Sequence, residues 1–476
     1  MFVARKPELN KLKKLADKPQ SSFLVVYGRR RIGKTETIRH FCHINKIAKF
    51  EYSGKVDQSK SQLIKSFVRY IDRLSGKKTK HSVKDWNSAF YLLTDYLNAQ
   101  DPNKKIFVFF DELPWIDTAK SGFLGELAEF WNNFCSQQQN IILVVCGSAA
   151  SYMLKNIIHN HGSLHGRITD IMPMQQFDLS ACKQMLLAQG CKYSDKTIVD
   201  TYMVLGGVAK YLESLDCHLT PAQSIDGLCF QNDGLLKSEY QDLFASLFRD
   251  SQVHYRIMNA LANKWTGYTQ KNLAKLAKVS SPYLKKPLQE LLTSGFIGAT
   301  TKFRQTKRDV IYRASDCFSY FYNKWMKGSN ISNWNHTVNT QSYKSWAGFA
   351  FENICHMHSQ QIKTVLGISG VPTNSHYWQY VAKNPLENGA QIDLILEHCN
   401  GSNNIDIIEC KYYNEVYSIN KNYKQELQNK INVFNQQTKK KYNIRLIFIT
   451  IHGMVKNEYY NELVSQDICI ADIINV

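Results

Sequence analysis

The sequence predicts an α/β multidomain protein, and three observations carry that reading. Between Ser22 and Met174, short apolar runs alternate with longer amphipathic stretches, the pattern of a parallel sheet covered by helices on both faces. A second set of strand-like runs lies near the C-terminus, beyond a long helical and basic stretch. The 476 residues are enough for about three domains at roughly 100–200 residues each. With 44% hydrophobic and 21% charged residues the composition is globular, which excludes wholesale disorder.

The elements follow in order. Near-continuous apolar runs at 23–27, 49–52, 106–110, 141–146 and 169–172 predict buried parallel strands, with helices at 60–74 and 83–97 between them. These make a first domain, 1–175. A 3.6-residue period without strand signals predicts a helical region over 176–250. Region 251–328 holds three helices (255–263, 270–277, 282–294) and two strand-like runs (296–303, 310–313) around a basic turn, the order of a winged helix-turn-helix. An Asn- and Ser-rich stretch, 329–340, reads as a linker. The last region, 340–476, opens with a helix, continues with strands and a helix at 423–434, and ends in a last strand at 444–450. No run of 18 uncharged apolar residues occurs, so neither a spanning helix nor a membrane partner is expected. The N-terminus has no apolar h-region, and the twelve cysteines include no C-x-x-C pair. A reduced, cytoplasmic protein without a disulfide framework is expected.

Gly28-Arg29-Arg30-Arg31-Ile32-Gly33-Lys34-Thr35 satisfies G-x4-G-K-[ST], directly after an apolar strand and before a helix. Glycines let the backbone wrap a phosphate with N–H groups, and the helix N-terminus adds its dipole. Lys34 is expected on the β- and γ-phosphates of ATP and the Thr35 hydroxyl on Mg²⁺. The strand at 106–110 delivers Asp111 and Glu112 at its C-terminal end, where α/β sheets bind ligands. Asp111 is expected to hold Mg²⁺ through water and Glu112 to polarise the attacking water. Ser148, after the next strand, stands where a γ-phosphate sensor belongs, or it caps the following helix. Arg167 precedes the fifth strand, where oligomeric ATPases often carry an arginine finger for a neighbour's nucleotide; a plain surface arginine is the alternative.

Together with Phe2-Val-Ala-Arg5, Phe110-Asp-Glu-Leu-Pro-Trp115 and Gly147-Ser-Ala-Ala-Ser151, this loop resembles the prokaryotic archaeal-type ATPases of the AAA+/STAND branch. The resemblance implies an ATPase with a helical lid at 176–250 and admits a homo-oligomer. The family's Gly-Gly-x-Pro-x-Tyr-Leu lid motif reads Gly206-Gly-Val-Ala-Lys-Tyr-Leu212 here, with Ala209 in place of proline.

The chain carries 59 basic against 40 acidic residues, a formal net charge of +19. From Val253 to Ser315 twelve Lys and Arg face only Glu290 and Asp309, so this stretch alone carries +10. A helix-turn-helix with that charge points to double-stranded DNA, with Lys285 and Lys286 on its second helix. Arg304, Lys307 and Arg308 on the wing are the expected phosphate contacts. A protein-binding module with a solvated basic face is the bland alternative.

In the last region, Gln391-Ile-Asp393 begins one strand and Glu409-Cys-Lys411 ends the next. Alternation puts Glu409 and Lys411 on one face, and a hairpin would bring Asp393 alongside. Two converging carboxylates suit Mg²⁺ or Mn²⁺, and an adjacent ammonium could orient water. The constellation resembles the PD-(D/E)XK nucleases, many of which carry an accessory acid on an upstream helix, where Glu352 stands here. The resemblance implies a nuclease-like domain with Asp393, Glu409 and Lys411 as its catalytic set. Two functions compete: an ATP-driven enzyme that binds and cleaves DNA, and a nucleotide-controlled switch whose nuclease-like fold only docks a partner.

Overall fold

A computed structural model describes residues 2–476, apart from 161, 249, 305–309, 330, 332, 383, 385–386 and 439–441, and it describes Asp393 by its backbone alone. The chain forms two compact units, Met1–Gln176 and Phe177–Val476.

The first unit is built on five parallel strands: β1 (Ser22–Tyr27), β2 (Ala48–Ser53), β3 (Ile106–Asp111), β4 (Ile141–Gly147) and β5 (Asp170–Pro173). Their order is β2-β3-β4-β1-β5. Every residue of β3 and β4 is buried, as expected of strands covered on both faces. The two-residue period sorts their side chains. Val108 and Phe110 join the core under helices Lys60–Ser75, Trp86–Asn98 and Phe123–Asn133, while Phe107 and Phe109 face helices Lys6–Asp17 and Lys34–Ile44.

The second unit begins with five helices between Leu179 and Leu247. Helices Gln252–Ala262, Gln270–Leu276 and Ser281–Thr293 follow, with strands β6 (Tyr268–Thr269), β7 (Ile297–Lys302) and β8 (Val310–Ala314). Thr269 caps the second of these helices and Pro282 opens the third, as N-terminal signals should. After helix Gln341–Met357 come β9 (Thr373–Tyr380), β10 (Ala390–His398), β11 (Asn404–Lys411), helix Lys421–Thr438, β12 (Asn443–Thr450) and β13 (Gln466–Cys469). The expected last strand, at 444–450, is thus followed by another.

Two sequence-defined regions merge here. β7 pairs in parallel with β9, so one eight-stranded sheet runs β13-β12-β11-β10-β9-β7-β8-β6. Phe303, just past β7, packs into the same core as Trp378, Ile407, Phe434 and Phe448. The helical region after Phe177 is tied in as well. Tyr412 Oη donates to Asp200 at 2.6 Å, and Leu179 N donates to His358 Nε2 at 3.0 Å.

Two expectations are corrected. Cys191 and Cys217 form a disulfide, so the cysteines are not all free; only folding, not spacing, brings these two together. The 329–340 stretch is no plain linker either. Its Trp334 is buried, stacked on Phe230 at 5.5 Å and edge-on to Phe321 at 5.0 Å. Among the described residues no helix is long and apolar enough to cross a membrane.

Candidate functional site

The geometry of the phosphate loop starts at the end of β1. Gly28 has φ 154°, and a Cβ there would meet Met174 O at 2.2 Å, so the chain can pass only with glycine. Arg29 and Ile32 are buried, Arg30 and Arg31 half-buried, and Arg31 takes φ 69°. Ile32 O accepts a hydrogen bond from Arg5 Nη2 at 2.7 Å, so the N-terminal segment props the loop. Helix Lys34–Ile44 starts at Gly33 without a side-chain cap, leaving its first N–H groups for an anion.

Three strand ends then converge. Because β4 lies between β1 and β3, Ser148 falls between the loop and the acidic pair. Buried Lys34 Nζ donates to Gly28 O at 3.0 Å, Arg29 O at 2.7 Å and Ser148 Oγ at 3.0 Å. Ser148 Oγ in turn donates to Glu112 Oε1 at 2.7 Å. Its hydroxyl is spent on this chain, and the helix that follows has Ala149 as N-cap with no side-chain bond. Thr35 Oγ1 donates to Asp111 Oδ2 at 2.9 Å. Glu112 adopts φ 49°, a left-handed conformation that costs on the order of 1 kcal/mol in a non-glycine residue. Burial and the neighbouring Glu112 charge push the Asp111 carboxyl up, against hydrogen bonds from Thr35, Cys146 and the Glu112 amide. A buried Asp111 carboxylate beside the half-buried Glu112 and a threonine hydroxyl is a hard-oxygen donor set that fits Mg²⁺. Arg167 is exposed in the turn before β5.

In the second unit, Lys285 and Lys286 are exposed on helix Ser281–Thr293, with Lys286 Nζ 3.9 Å from Glu290. Arg304 Nη1 donates to Thr438 O at 2.7 Å and its guanidinium lies over the Tyr442 ring at 5.1 Å, so part of its donor capacity is used inside the protein. Lys307 and Arg308 lie outside the described residues.

The C-terminal carboxylates are held by cations. Glu409, 3% exposed, accepts from Lys430 and from Tyr423 Oη at 3.0 Å, and Lys411 Nζ stands 3.5 Å away. Burial acts to raise its pKa, but the charges of Lys430 and Lys411 and the bonds from Lys430 and Tyr423 outweigh burial and lower it. Glu352, on helix Gln341–Met357, is also buried but goes the other way. Burial pushes its carboxyl up to about 7, with Glu409 adding to the rise and Arg313, the Trp265 hydrogen bond and Lys411 opposing it. Leu394 pairs with Ile408 across the antiparallel β10–β11 ladder, so one more step of that register sets the Asp393 position opposite Glu409. The Asp393 side chain lies outside the described residues. Among the described residues no cluster of three His, Cys, Asp or Glu forms a metal-ligand set.

Sequence reading assigned no site role to Arg5, Cys146, Lys430, Tyr423, Trp265 or Arg313. Arg5 alone left a trace, as the last residue of the quoted N-terminal motif.

Residues 2–215 match the model of an ATPase domain predominantly from Archaea. An uncharacterized protein of Methanocaldococcus jannaschii is 23% identical over 367 residues, 74% of this chain and 76% of that protein. Among solved structures, a Walker-type ATPase of Pyrococcus abyssi covers 68% of this chain and 96% of its own, at 18% identity and TM-score 0.49. The ORC2 protein of Aeropyrum pernix, in its ADPNP–ADP complexes, covers 68% and 93% at 13% identity and TM-score 0.46. The phosphate loop, Asp111, Glu112 and Ser148 all fall within residues 2–215, the stretch that is similar to that ATPase domain.

Proposed function

We propose that the protein binds and hydrolyses Mg-ATP at Gly28–Thr35 and uses nucleotide state to control a nucleic-acid-acting second unit. One observation carries this reading: the Lys34–Ser148–Glu112 hydrogen-bonded chain beside the Thr35–Asp111 pair. On this reading Lys34 leaves the loop carbonyls for the β- and γ-phosphates. That exchange frees Ser148 to meet the γ-phosphate, and Glu112 to orient a water for in-line attack. Thr35 and Asp111 would hold Mg²⁺, which neutralises charge developing on the phosphate oxygens. Arg167 is proposed as a finger acting on a neighbouring copy.

The exposed Lys285 and Lys286, with Arg304, Lys307 and Arg308 on the hairpin, are proposed as the duplex-DNA face of a winged helix. Asp393, Glu409 and Lys411 are proposed as a divalent-metal cleavage centre of a nuclease-like domain. A second reading rests on a specific observation. Glu409 is already satisfied by Lys430, Lys411 and Tyr423, as it would be in a docking domain that cleaves nothing.

Steady-state ATP turnover tests the first claim. Lys34→Ala should lower kcat/KM at least about 100-fold, some 2.7 kcal/mol of transition-state stabilisation. Wild-type turnover in that variant would overturn the assignment. For the second unit, log–log salt titration of duplex binding should lose about two units of slope when Lys285 and Lys286 become Gln. Undetectable binding at low salt would leave the docking reading ahead.

A further inference from the structure

In the first unit, positive charge gathers on one helix and the loop behind it. From Lys55 to Lys84 nine Lys and Arg face only Asp57 and Asp72, a net +7. With the +10 of residues 253–315, this stretch accounts for all but two of the chain's net +19. Helix Lys60–Ser75 starts on a capping box between Ser59 and Gln62 and ends at Gly76, whose φ is 68°. Its apolar face, Leu63, Ile64, Phe67 and Ile71, is buried in the same core as Phe50 and Phe110. The four-residue step then sets Lys65, Arg69 and Arg73 in one row on the opposite face, and all three are exposed.

This row differs from an ordinary solvated face. Like charges four residues apart destabilise a helix, and soluble surfaces intersperse acids among their bases. Here the helix holds a single acid, Asp72, and its carboxylate is spent on the following loop. Asp72 Oδ1 accepts from Thr79 N at 3.0 Å and from Thr79 Oγ1 at 2.6 Å, while Lys77 N donates to Ser75 Oγ at 3.2 Å. Those bonds fold the loop back onto the end of the helix, so the exposed Lys77, Lys78 and Lys80 continue the row from Arg73. Among the described residues none of these six side chains is ion-paired. The helix bears the cost of repulsion without a structural contact to offset it.

We infer that Lys65, Arg69 and Arg73, continued by Lys77, Lys78 and Lys80, bind the phosphodiester backbone of a nucleic acid on the first unit itself. A rise of about 1.5 Å per residue sets one cation about every 6 Å along the helix. An anion that answers such a row must carry many charges in a line. Duplex DNA does, with one per about 1.7 Å of its axis, whereas a lone phosphate or nucleotide meets only one or two cations. A lipid surface fits less well. A helix lying in a membrane interface inserts an apolar face, and here that face is already in the core. Contacts of this kind hold the backbone and read no sequence. The surface lies in the other unit from Lys285 and Lys286 and stands whether or not the helix-turn-helix binds DNA.

The test titrates salt against binding of the full-length protein to a labelled mixed-sequence duplex of about 30 base pairs. Replacing Lys65, Arg69 and Arg73 together by Gln should lower the log–log slope by about two to three units. Replacing Lys6, Lys13 and Lys14, equally exposed on helix Lys6–Asp17, should lower it by less than about one unit. An unchanged slope in the first variant would overturn the inference, and so would an equal loss in the second, which marks diffuse charge rather than a site. No duplex binding by the wild type at low salt would overturn it too. Loss in the first variant, with no change when Lys285 and Lys286 become Gln, would support this surface and sink the helix-turn-helix reading alone. Sedimentation with phosphatidylserine vesicles that the first variant abolishes, at unchanged duplex binding, would assign the row to a lipid surface instead. If the first variant fails to fold, Lys77→Gln with Lys78→Gln and Lys80→Gln decides, since those side chains extend from a loop.

Discussion

The phosphate loop and the C-terminal carboxylate centre each hold a buried charge, and they hold it in opposite ways. Lys34 is answered by two carbonyls five and six residues away and by one serine hydroxyl, so neutral dipoles hold a cation that can be handed to phosphate. Glu409 is answered by full charges, with Lys430 in contact and Lys411 at 3.5 Å. A metal ion arriving at Glu409 must compete with ammonium groups, whereas a phosphate arriving at Lys34 competes only with carbonyls. The first site is poised for its ligand, and the second is balanced without one.

Breaking that balance should have the largest effect on stability. Lys430→Gln leaves Glu409 buried with only Lys411 and Tyr423 and should destabilise the second unit by about 4 kcal/mol, read as a lowered midpoint in urea. A change below about 1 kcal/mol would mean that solvent already screens the pair. Glu352 sharpens the contrast through pH. Its folded pKa, about 7, lies above its unfolded value, so the stability it contributes is full below about pH 4.5 and is lost as pH rises through 7. The loss should approach about 3 kcal/mol above pH 8. Glu352→Gln keeps an acceptor for Trp265 and should flatten the thermal midpoint between pH 5 and 8. If the variant follows the wild-type curve, another group carries the dependence.

The two sites also differ in how much of them the sequence disclosed. In the first unit the strand runs were legible to within a residue or two, most plainly for β1, β3 and β4, which are buried almost throughout and therefore apolar along their length. The loop contacts span six residues or fewer, so spacing alone reported them. What stayed hidden there was the Ser148–Glu112 bond, which depends on β4 lying between β1 and β3. In the second unit Glu409 and Lys411 were legible as a strand pair. Their setting was not, since Lys430 is 21 residues from Glu409 and Trp265 is 87 from Glu352. The merging of hairpin and C-terminal strands into one sheet was equally unreadable, because the β7–β9 pairing has no local signature. Trp334 shows the limit of composition: Asn and Ser around it suggest a linker, yet its one buried indole ties the segment to Phe230 and Phe321.

The central claim is that the Lys34–Ser148–Glu112 chain belongs to an ATP-hydrolysing centre, and single-turnover hydrolysis by Glu112→Gln tests it most directly. The amide can still accept from Ser148 but cannot polarise water as a carboxylate does. The variant should bind Mg-ATP with wild-type affinity and cleave it at least about 100-fold more slowly. Cleavage at the wild-type rate, or loss of nucleotide binding with the slow rate, would contradict the role given to Glu112.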